Sequence, residues 1–285
     1  MIVSNEKLIN WLFETNAVRV CPEGEPFWYT SGTIGPYYIN THFLYGSQDK
    51  ALGLLEKIDA EKANKLRCPE RLLPAVEANY ASDMIYKGLI DGMLDFIKGN
   101  VNVEEIDFVS GGERRDWFFS LLVAKFLEKP HITIYKDLSA VITENGETRT
   151  AESICGARVL HVADLITEAS SYERAWIPAI KKICGLMTAS IVVIDRMQGG
   201  AELLEKNDVC SFAMVSINKD FFNKALKLGH ITKGQYDMLL EYTADPRESM
   251  RSFIKEHPEF LENALKADSR TRERAQRCID KGIYE

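Results

Sequence analysis

The sequence lacks a long apolar run. No 18 consecutive residues are apolar, and Glu6 and Glu14 interrupt the apolar positions near the N-terminus. A membrane-spanning helix needs about 20 predominantly apolar residues, and a signal peptide needs an uninterrupted apolar core. We therefore expect no membrane segment, no secretory leader and no membrane partner.

Closely spaced cysteines are also missing. The six cysteines are Cys21, Cys68, Cys155, Cys184, Cys210 and Cys278, and they form no C-x-x-C pair. Disulfide frameworks and structural zinc sites depend on such spacing. We therefore expect reduced thiols in a cytoplasmic protein, with no structural metal site.

The sequence has fewer basic than acidic residues. It contains 35 Lys and Arg residues and 42 Asp and Glu residues, which gives a net charge of −7. Non-specific nucleic-acid binding needs clustered Lys and Arg to displace counterions. The composition thus predicts no nucleic-acid partner, and a phosphate-bearing ligand must be met by local groups. With 285 residues, 46% of them apolar, the chain is long enough for one large domain plus an appendage.

The most informative stretch runs from Gly156 to Ser171. Its apolar run Val159–Val162 predicts a buried parallel strand, and a turn rich in Thr and Ser follows Asp164 before a helical pattern starts at Tyr172. Here a strand ends in small hydroxyl residues and a helix begins directly after them. In such a turn the free backbone N–H groups point to one place, which suits a phosphate. Asp164 is placed to hold a ribose hydroxyl or Mg²⁺ beside it. On this pattern alone, a capped turn without a ligand is an equal alternative.

A segment with two glycines and two arginines follows the predicted strand Ile106–Val109. The glycines allow close backbone approach to an anion, and the arginines can neutralise a diphosphate. These residues are Gly111, Gly112, Arg114 and Arg115. An equally weighted alternative is that the arginines pair with Glu113 and Asp116 at the surface.

Four segments follow one another in the order typical of a known family. They are Ser31-Gly32 with Pro36-Tyr37-Tyr38, then Gly111-Gly112, the loop from Val162 to Ser171, and Asp195-Arg196-Met197-Gln198-Gly199-Gly200. In these segments the sequence resembles the orotate phosphoribosyltransferases, which have the type I phosphoribosyltransferase fold. Of the four segments, Asp195 to Gly200 is the most specific to the orotate branch of the family.

The resemblance implies an α/β fold: a type I phosphoribosyltransferase-like parallel sheet flanked by helices, with an N-terminal hood hairpin and a C-terminal helical extension. Residues 1–217 would form the phosphoribosyltransferase-like domain, with the hood at about 19–45 and a helical insertion at about 49–98. Residues 218–285 would form the helical extension. Enzymes of this branch commonly form homodimers, so we expect a homodimer.

The implied function is transfer of the ribose 5-phosphate of phosphoribosyl diphosphate onto a pyrimidine base such as orotate, in nucleotide biosynthesis or salvage. Mg²⁺ would be carried by the diphosphate. The resemblance assigns Asp164 and Lys136 to the reacting centre as catalytic residues; Thr167, Glu168, Ala169, Ser170 and Ser171 to the 5′-phosphate; Gly111, Gly112, Arg114 and Arg115 to the diphosphate; and Ser31, Gly32 and Arg196 to the base.

The sequence departs from the family pattern at several charged positions. Ala163 stands in place of one of two adjacent acids, Thr30 replaces a Lys in the hood, and residues 137–152 lack the Lys-x-His-Gly element of a mobile loop. Glu168 adds a negative charge to the phosphate loop. The alternative function is therefore a non-catalytic, regulatory module that binds a nucleotide or sugar phosphate on the same fold.

Three local predictions concern other parts of the chain. Asn145-Gly146 predicts a two-stranded hairpin, and Pro69 and Pro74 are expected to break the helical region into pieces. His161 lies in mid-strand and is expected to be a half-buried histidine with its hydrogen bonds satisfied.

Overall fold

The computed structural model describes residues 5–284, which divide into two compact units. The first comprises the residues up to Ala17 together with Asn40–Ile217, and the second comprises Val18–Ile39 together with Asn218–Glu285. The sequence predicts a boundary after residue 217, and a unit boundary lies there. Residues 18–39, which the prediction assigns to the first domain, group with the C-terminal helices.

The described residues form strands and helices over most of their length. The strands are β1 (Val18–Val20), β2 (Phe27–Trp28), β3 (Ile34–Gly35), β4 (Tyr37–Ile39), β5 (Phe108–Gly112), β6 (His131–Ile134), β7 (Ala140–Glu144), β8 (Glu147–Thr150), β9 (Arg158–Ile166), β10 (Leu186–Asp195) and β11 (Cys210–Ser216). The helices are α1 (Asn5–Glu14), α2 (Gln48–Glu61), α3 (Cys68–Ser82), α4 (Met84–Asn100), α5 (Trp117–Phe126), α6 (Ile177–Lys182), α7 (Gly200–Glu205), α8 (Lys219–Lys227), α9 (Lys233–Ala244), α10 (Pro246–Glu256), α11 (Pro258–Lys266) and α12 (Ser269–Asp280). None of these helices has both the length and the apolar character needed to cross a membrane.

The first unit is built on a seven-stranded sheet in the order β11-β10-β9-β5-β6-β7-β8. The strands from β11 to β6 are parallel, whereas β7 and β8 add an antiparallel edge. This α/β architecture confirms the predicted fold class. The hairpin of β7 and β8 turns at Asn145 and Gly146, both with positive φ, as their sequence predicts.

The core of this unit lies between the sheet and its helices. The central strands are buried on both faces, so β9 and β10 read as nearly continuous apolar runs. Helix α5 is also apolar on all sides, with Trp117 through Ala124 buried, because it contacts β5 on one side and α3 and α4 on the other.

Two sequence predictions for this unit need correction. Strand β9 extends to Ile166, because its backbone pairs with β10 as far as Asp195. Asp164, after which the sequence predicts a turn, is therefore inside the strand and only 9% exposed. Pro74 lies within α3 and does not separate two helices, whereas Pro69 lies at the start of α3, where its missing N–H costs no hydrogen bond.

The second unit combines the predicted hood with the C-terminal helices. Strands β2 and β3 form the expected hairpin, and β1 pairs with β4. The Trp28 ring stacks on Phe260 with 5.5 Å between ring centroids, and Arg274 of α12 donates to the Trp28 carbonyl at 2.7 Å. Gly32 lies so close to α12 that an added Cβ would be 3.1 Å from the Cys278 nitrogen. Helix α12 thus contacts the hairpin through the Arg274 side chain and the backbone at Cys278.

Replacing Gly112 by Ala should destabilise the first unit. An added Cβ would lie 2.3 Å from the Trp176 indole ring, so β5 or the buried ring must move, at a cost of about 1–3 kcal/mol. The matched control is Gly53→Ala in α2, where nothing lies within 4 Å and helix propensity favours Ala by about 0.5–1 kcal/mol. Urea denaturation should move the two midpoints in opposite directions. Equal midpoints would contradict close packing at Gly112.

Candidate functional site

The first unit contains a cavity of about 370 Å³ at the carboxyl ends of its central strands. It is lined by Glu113, Arg114, Arg115, Asp116, Lys136, Ala163 through Tyr172, and Trp176. Strands β5 and β9 are neighbours in the sheet, and the chain leaves β5 toward β6 on one side but leaves β9 toward β10 on the other. Ligands of open α/β sheets bind at such a switch point. The topology therefore explains why the cavity lies here.

The predicted phosphate loop forms one wall of the cavity. Thr167 through Ser171 follow β9, and the helix that they begin has its first backbone hydrogen bond from the Glu173 N–H to the Ala169 carbonyl, at 3.1 Å. The N–H groups of Ser170, Ser171 and Tyr172 precede that bond and have no acceptor within the helix. Ala169 takes a left-handed conformation with φ of 55°, which turns the chain into the helix. The loop thus offers several N–H groups to an anion.

Glu168 is the one acidic residue in this loop. Its side chain is exposed, and within residues 5–284 its carboxylate makes no hydrogen bond or ion pair. The negative charge is therefore not cancelled by a neighbouring side chain. It opposes an anion at the loop unless the side chain turns outward or a cation is bound.

Asp116 and Asp164 both line the cavity and are joined through the Asp164 backbone. Asp116 is the residue before α5, and it is 6% exposed. Its Oδ2 accepts the Gly112 N–H at 3.0 Å, and its Oδ1 accepts the Asp164 N–H at 3.1 Å. The sequence predicts for Asp116 only a surface pairing with arginine, because no local pattern indicates that its side chain reaches β9. His161 on β9 is fully buried, and its Nε2 has no hydrogen-bond partner in the described chain, so the prediction of a half-buried histidine with its hydrogen bonds satisfied is wrong.

Burial, and after it the neighbouring Asp116, raise the pKa of Asp164 from its ordinary value to about 7. The Arg115 guanidinium acts in the opposite direction. A carboxyl group with a raised pKa in a cavity is a typical feature of functional sites. Asp164 therefore titrates in the range where its charge responds to a ligand.

The two arginines after β5 have different surroundings. Arg114 pairs with Asp59 of α2, and Lys62 contacts the same carboxylate at 2.8 Å. Glu113 is 3.3 Å from the Lys62 amine and accepts the Lys136 backbone N–H at 3.2 Å. The alternative that both arginines pair with Glu113 and Asp116 is therefore wrong: Arg114 pairs with Asp59, Glu113 contacts Lys62, and Asp116 accepts backbone N–H groups.

Arg115 and Lys136 are the cations left for a ligand. Both are exposed at the cavity, and neither side chain has an ion pair or hydrogen bond within the described part of the chain. Gly111 and Gly112 lie buried behind them and do not line the cavity. Their lack of a side chain makes room for Ser120 and Trp176, because an added Cβ would lie 2.2 Å from Ser120 Oγ and 2.3 Å from Trp176.

The Asp195–Gly200 segment supports the phosphate loop from outside the cavity. The Arg196 N–H donates to the Ile166 carbonyl at 3.0 Å, and a Cβ at Gly200 would lie 2.6 Å from the Thr167 carbonyl oxygen. Arg196 is half-buried and does not line the cavity. Ser31 and Gly32 belong to the second unit, and their assignment to the base remains a prediction. No group of three or more metal-ligating side chains occurs within residues 5–284.

A short fixed turn connects β6 to β7 beside Lys136. The Tyr135 N–H donates to the Ser139 carbonyl at 2.9 Å, and the Lys65 amine donates to Ser139 Oγ at 2.8 Å. Asp137 pairs with Lys65, and hydrogen bonds from Lys65 and Ser139 hold the pKa of Asp137 well below its usual range. Where a mobile loop would leave the sheet, this chain has an anchored turn.

No family model matches the sequence, and no curated protein matches it. Solved structures match its fold. UMP synthase from Leishmania donovani has a TM-score of 0.52 at 16% identity over 85% of this chain, which spans less than half of that protein, 42%. The orotate phosphoribosyltransferase from Francisella tularensis has a TM-score of 0.51 at 14% identity, over 82% of this chain and 96% of that one. The chain has the type I phosphoribosyltransferase fold, as its sequence predicts.

Replacing Asp164 by Asn should stabilise the free protein at high pH. The folded-state pKa of this carboxyl is raised, so the folded protein holds more protons than the unfolded chain above about pH 4, and its stability falls as pH rises toward the folded pKa. The amide that replaces the carboxyl group in this variant cannot ionise. Its free energy of unfolding should exceed that of the wild type by about 1 kcal/mol or more near pH 8, with no such gain near pH 4.

Urea denaturation at several pH values measures this difference. Asp208→Asn, at an exposed carboxyl, is the control. A pH-independent difference for Asp164→Asn would contradict the raised pKa.

Proposed function

We propose that this protein binds phosphoribosyl diphosphate with Mg²⁺ and transfers its ribose 5-phosphate onto a pyrimidine base such as orotate. The proposal is carried by one observation: a loop of helix N-terminal amides, a pair of carboxyl groups and two unpaired cations surround the same cavity. Each group matches one part of a phosphoribosyl ligand. The fold places this cavity where open α/β sheets bind phosphate ligands.

In this proposal the residues have separate tasks. The 5′-phosphate accepts hydrogen bonds from the Thr167–Ser171 loop, and Asp164 accepts hydrogen bonds from the ribose hydroxyls. Arg115 and Lys136 neutralise the diphosphate, with Arg114 contributing less because Asp59 holds it. Ser31, Gly32 and Arg196 are proposed for the base.

The balance of charge around the cavity fits a ligand that brings a metal ion. Four acids and three bases line it, so the cations of the protein alone do not neutralise a diphosphate. Mg²⁺ carried by the diphosphate would supply the missing positive charge and would need few protein ligands. Asp164 is the carboxylate that would hold it.

The reaction proposed is displacement of diphosphate from C1 of the ribose by a ring nitrogen of the base. The C1–O bond breaks and its electron pair leaves with the diphosphate, the C1–N bond forms, and the proton of the ring nitrogen passes to solvent. The residues of this chain act mainly by holding the phosphate and the ribose in line and by stabilising the charge of the leaving group.

A second function is favoured by the anchored β6–β7 turn and by Glu168. A module that senses a nucleotide or sugar phosphate needs a fixed pocket and no closing loop. The turn held by Lys65 and Asp137 is fixed in this way, and the Glu168 carboxylate weakens the attraction for a highly charged ligand. On this alternative, the protein would bind a ligand of lower charge and would not turn it over.

Calorimetric titration distinguishes the two functions. Phosphoribosyl diphosphate with Mg²⁺ should bind with micromolar affinity, and orotate should strengthen that binding. Asp164→Ala should abolish it while circular dichroism remains unchanged. Binding of nucleoside monophosphate without binding of phosphoribosyl diphosphate would favour the sensing module. Binding of neither would remove both functions.

The two arginines provide a matched pair of variants. Arg115→Gln removes an unpaired cation at the cavity and should weaken binding of phosphoribosyl diphosphate about tenfold or more, since a charge-assisted hydrogen bond contributes about 1.5–3 kcal/mol. Arg114→Gln removes a cation that Asp59 already neutralises and should weaken binding about threefold or less. The same titration measures both. Equal losses would contradict the assignment of Arg115 to the diphosphate.

A further inference from the structure

Two exposed cysteines lie at the edge of the sheet opposite to the cavity. Cys155 precedes β9 and Cys184 precedes β10, and these strands are parallel neighbours. The cavity lies at the carboxyl ends of the strands, whereas the two cysteines lie at the amino ends. The six cysteines, all within the described residues, are free in this structure. The two thiols are therefore separate from the candidate site, and an inference about them does not depend on the proposed function.

Backbone hydrogen bonds hold the two cysteines next to each other. The Gly156 N–H donates to the Cys184 carbonyl at 2.6 Å, and the Ile154 N–H donates to the Ile183 carbonyl at 2.8 Å. By standard bond lengths, the α-carbons of Cys155 and Cys184 are each about 2.4 Å from the bonded nitrogen and oxygen, so they lie within about 7 Å of each other. Cysteines whose α-carbons are more than about 7 Å apart cannot be bridged without backbone movement. This pair is inside that limit.

Both cysteines have left-handed backbone conformations, which are unfavourable for a residue with a β-carbon. Cys155 has a φ of 42° and is the first central residue of the turn from Ile154 to Ala157, where Asn, Asp or Gly is preferred. Cys184 has a φ of 58° and follows α6. The Gly185 N–H donates to the Ile180 carbonyl at 3.0 Å, so Cys184 occupies the position of a Schellman motif where Gly is the usual residue. Neither side chain is buried, so the thiols, and not core packing, explain why cysteine is present at these positions.

The surroundings of the two thiols differ. Ser153 Oγ accepts the Cys155 N–H at 3.3 Å and lies 3.4 Å from Cys155 Sγ, so the hydroxyl hydrogen is free to point at the sulfur. A donor at this place stabilises the thiolate, which is the nucleophilic form. Cys184 lies at the carboxyl end of α6, where the helix dipole disfavours a negative charge. Cys155 is therefore the better nucleophile, and Cys184 is placed to react second.

We propose that Cys155 and Cys184 form a dithiol site that reacts with a peroxide and closes to a disulfide between the starts of β9 and β10. The Cys155 sulfur attacks one oxygen of hydrogen peroxide: the S–O bond forms, the O–O bond breaks, and the departing hydroxide takes the thiol proton and leaves as water. The Cys184 sulfur then attacks Cys155 Sγ: the S–S bond forms, the S–O bond breaks, and the second hydroxide leaves as water with the Cys184 proton. The two cysteines lose two electrons, and the peroxide gains them.

The disulfide closes a covalent ring that contains the predicted phosphate loop. The segment between the two cysteines comprises β9, the loop Thr167–Ser171 and α6. A cross-link at its two ends leaves the unfolded chain with fewer conformations, which stabilises the folded state. Oxidation therefore makes the first unit more resistant to unfolding, and reduction reverses the effect.

The test is oxidation of the full chain with one equivalent of hydrogen peroxide, followed by thiol counting in denaturant and peptide mapping. The wild type should lose two of its six titratable thiols, Cys155 and Cys184 should be recovered in one cross-linked peptide, and dithiothreitol should restore both thiols. Cys210→Ser is the matched control, because Cys210 is also exposed but lies on β11, paired with Ala189. This variant should form the same cross-link. Retention of both thiols, their oxidation to sulfinic acids without a cross-link, or a cross-link that includes Cys210 would overturn the proposal.

Single variants separate the roles of the two thiols. In Cys184→Ser, the sulfenic acid on Cys155 has no second thiol to react with and should accumulate, so that dimedone traps it. In Cys155→Ser, trapping at Cys184 should be several-fold slower. Both positions are exposed, and circular dichroism checks that each variant keeps its fold. Equal rates of trapping at the two cysteines would overturn the order of attack.

Thermal unfolding measures the consequence for stability. The oxidised wild type should unfold about 5 °C or more above the reduced protein, because the cross-link closes a long loop. Peroxide should leave the midpoints of Cys155→Ser and Cys184→Ser where they are in the reduced variants. Equal midpoints for the reduced and the cross-linked wild type would overturn the stabilising effect.

Discussion

The hydrogen bonds of the Asp116 carboxylate hold together the region on which the site depends. Each oxygen accepts one backbone N–H, the first from β5 and the second from β9. These two strands are the neighbours from which the chain continues in opposite directions across the sheet. The two strands also pair directly, but that pairing ends at Ser110 and His161. Beyond this point the strands separate, and the carboxylate spans the gap. A buried carboxylate bound by two N–H groups is satisfied without a cation, which leaves Arg115 available.

The sequence predicts the parts of this structure that depend on local pattern. The apolar runs of β9 and β10 indicate buried strands, Asn145-Gly146 indicates a hairpin, and the Thr- and Ser-rich turn indicates the loop at the cavity. These features require only periodicity and turn chemistry, which neighbouring residues determine. The five residues of the phosphate loop are all found together at the cavity for the same reason.

The remaining features depend on contacts between residues distant in sequence. Arg114 pairs with Asp59, 55 residues away, and Asp116 bonds the Asp164 N–H, 48 residues away. No local pattern distinguishes Arg114 from Arg115, although one is neutralised and the other is not. The length of β9 is likewise decided by pairing with β10, and this pairing buries Asp164. The assignment of residues 18–39 to the C-terminal unit depends on contacts such as that of Trp28 with Phe260.

The anchored turn between β6 and β7 has a consequence for the energetics of binding. A mobile loop that orders over a ligand loses conformational entropy equivalent to about 1–2 kcal/mol for each residue fixed. The residues from Tyr135 to Ser139 are already held by backbone bonds and by Lys65, so a ligand bound at Lys136, as proposed, would incur no such loss. This wall of the cavity is preorganised. A preorganised wall favours rapid and reversible binding of a ligand. It does not exclude water, as a loop that closes over the ligand would.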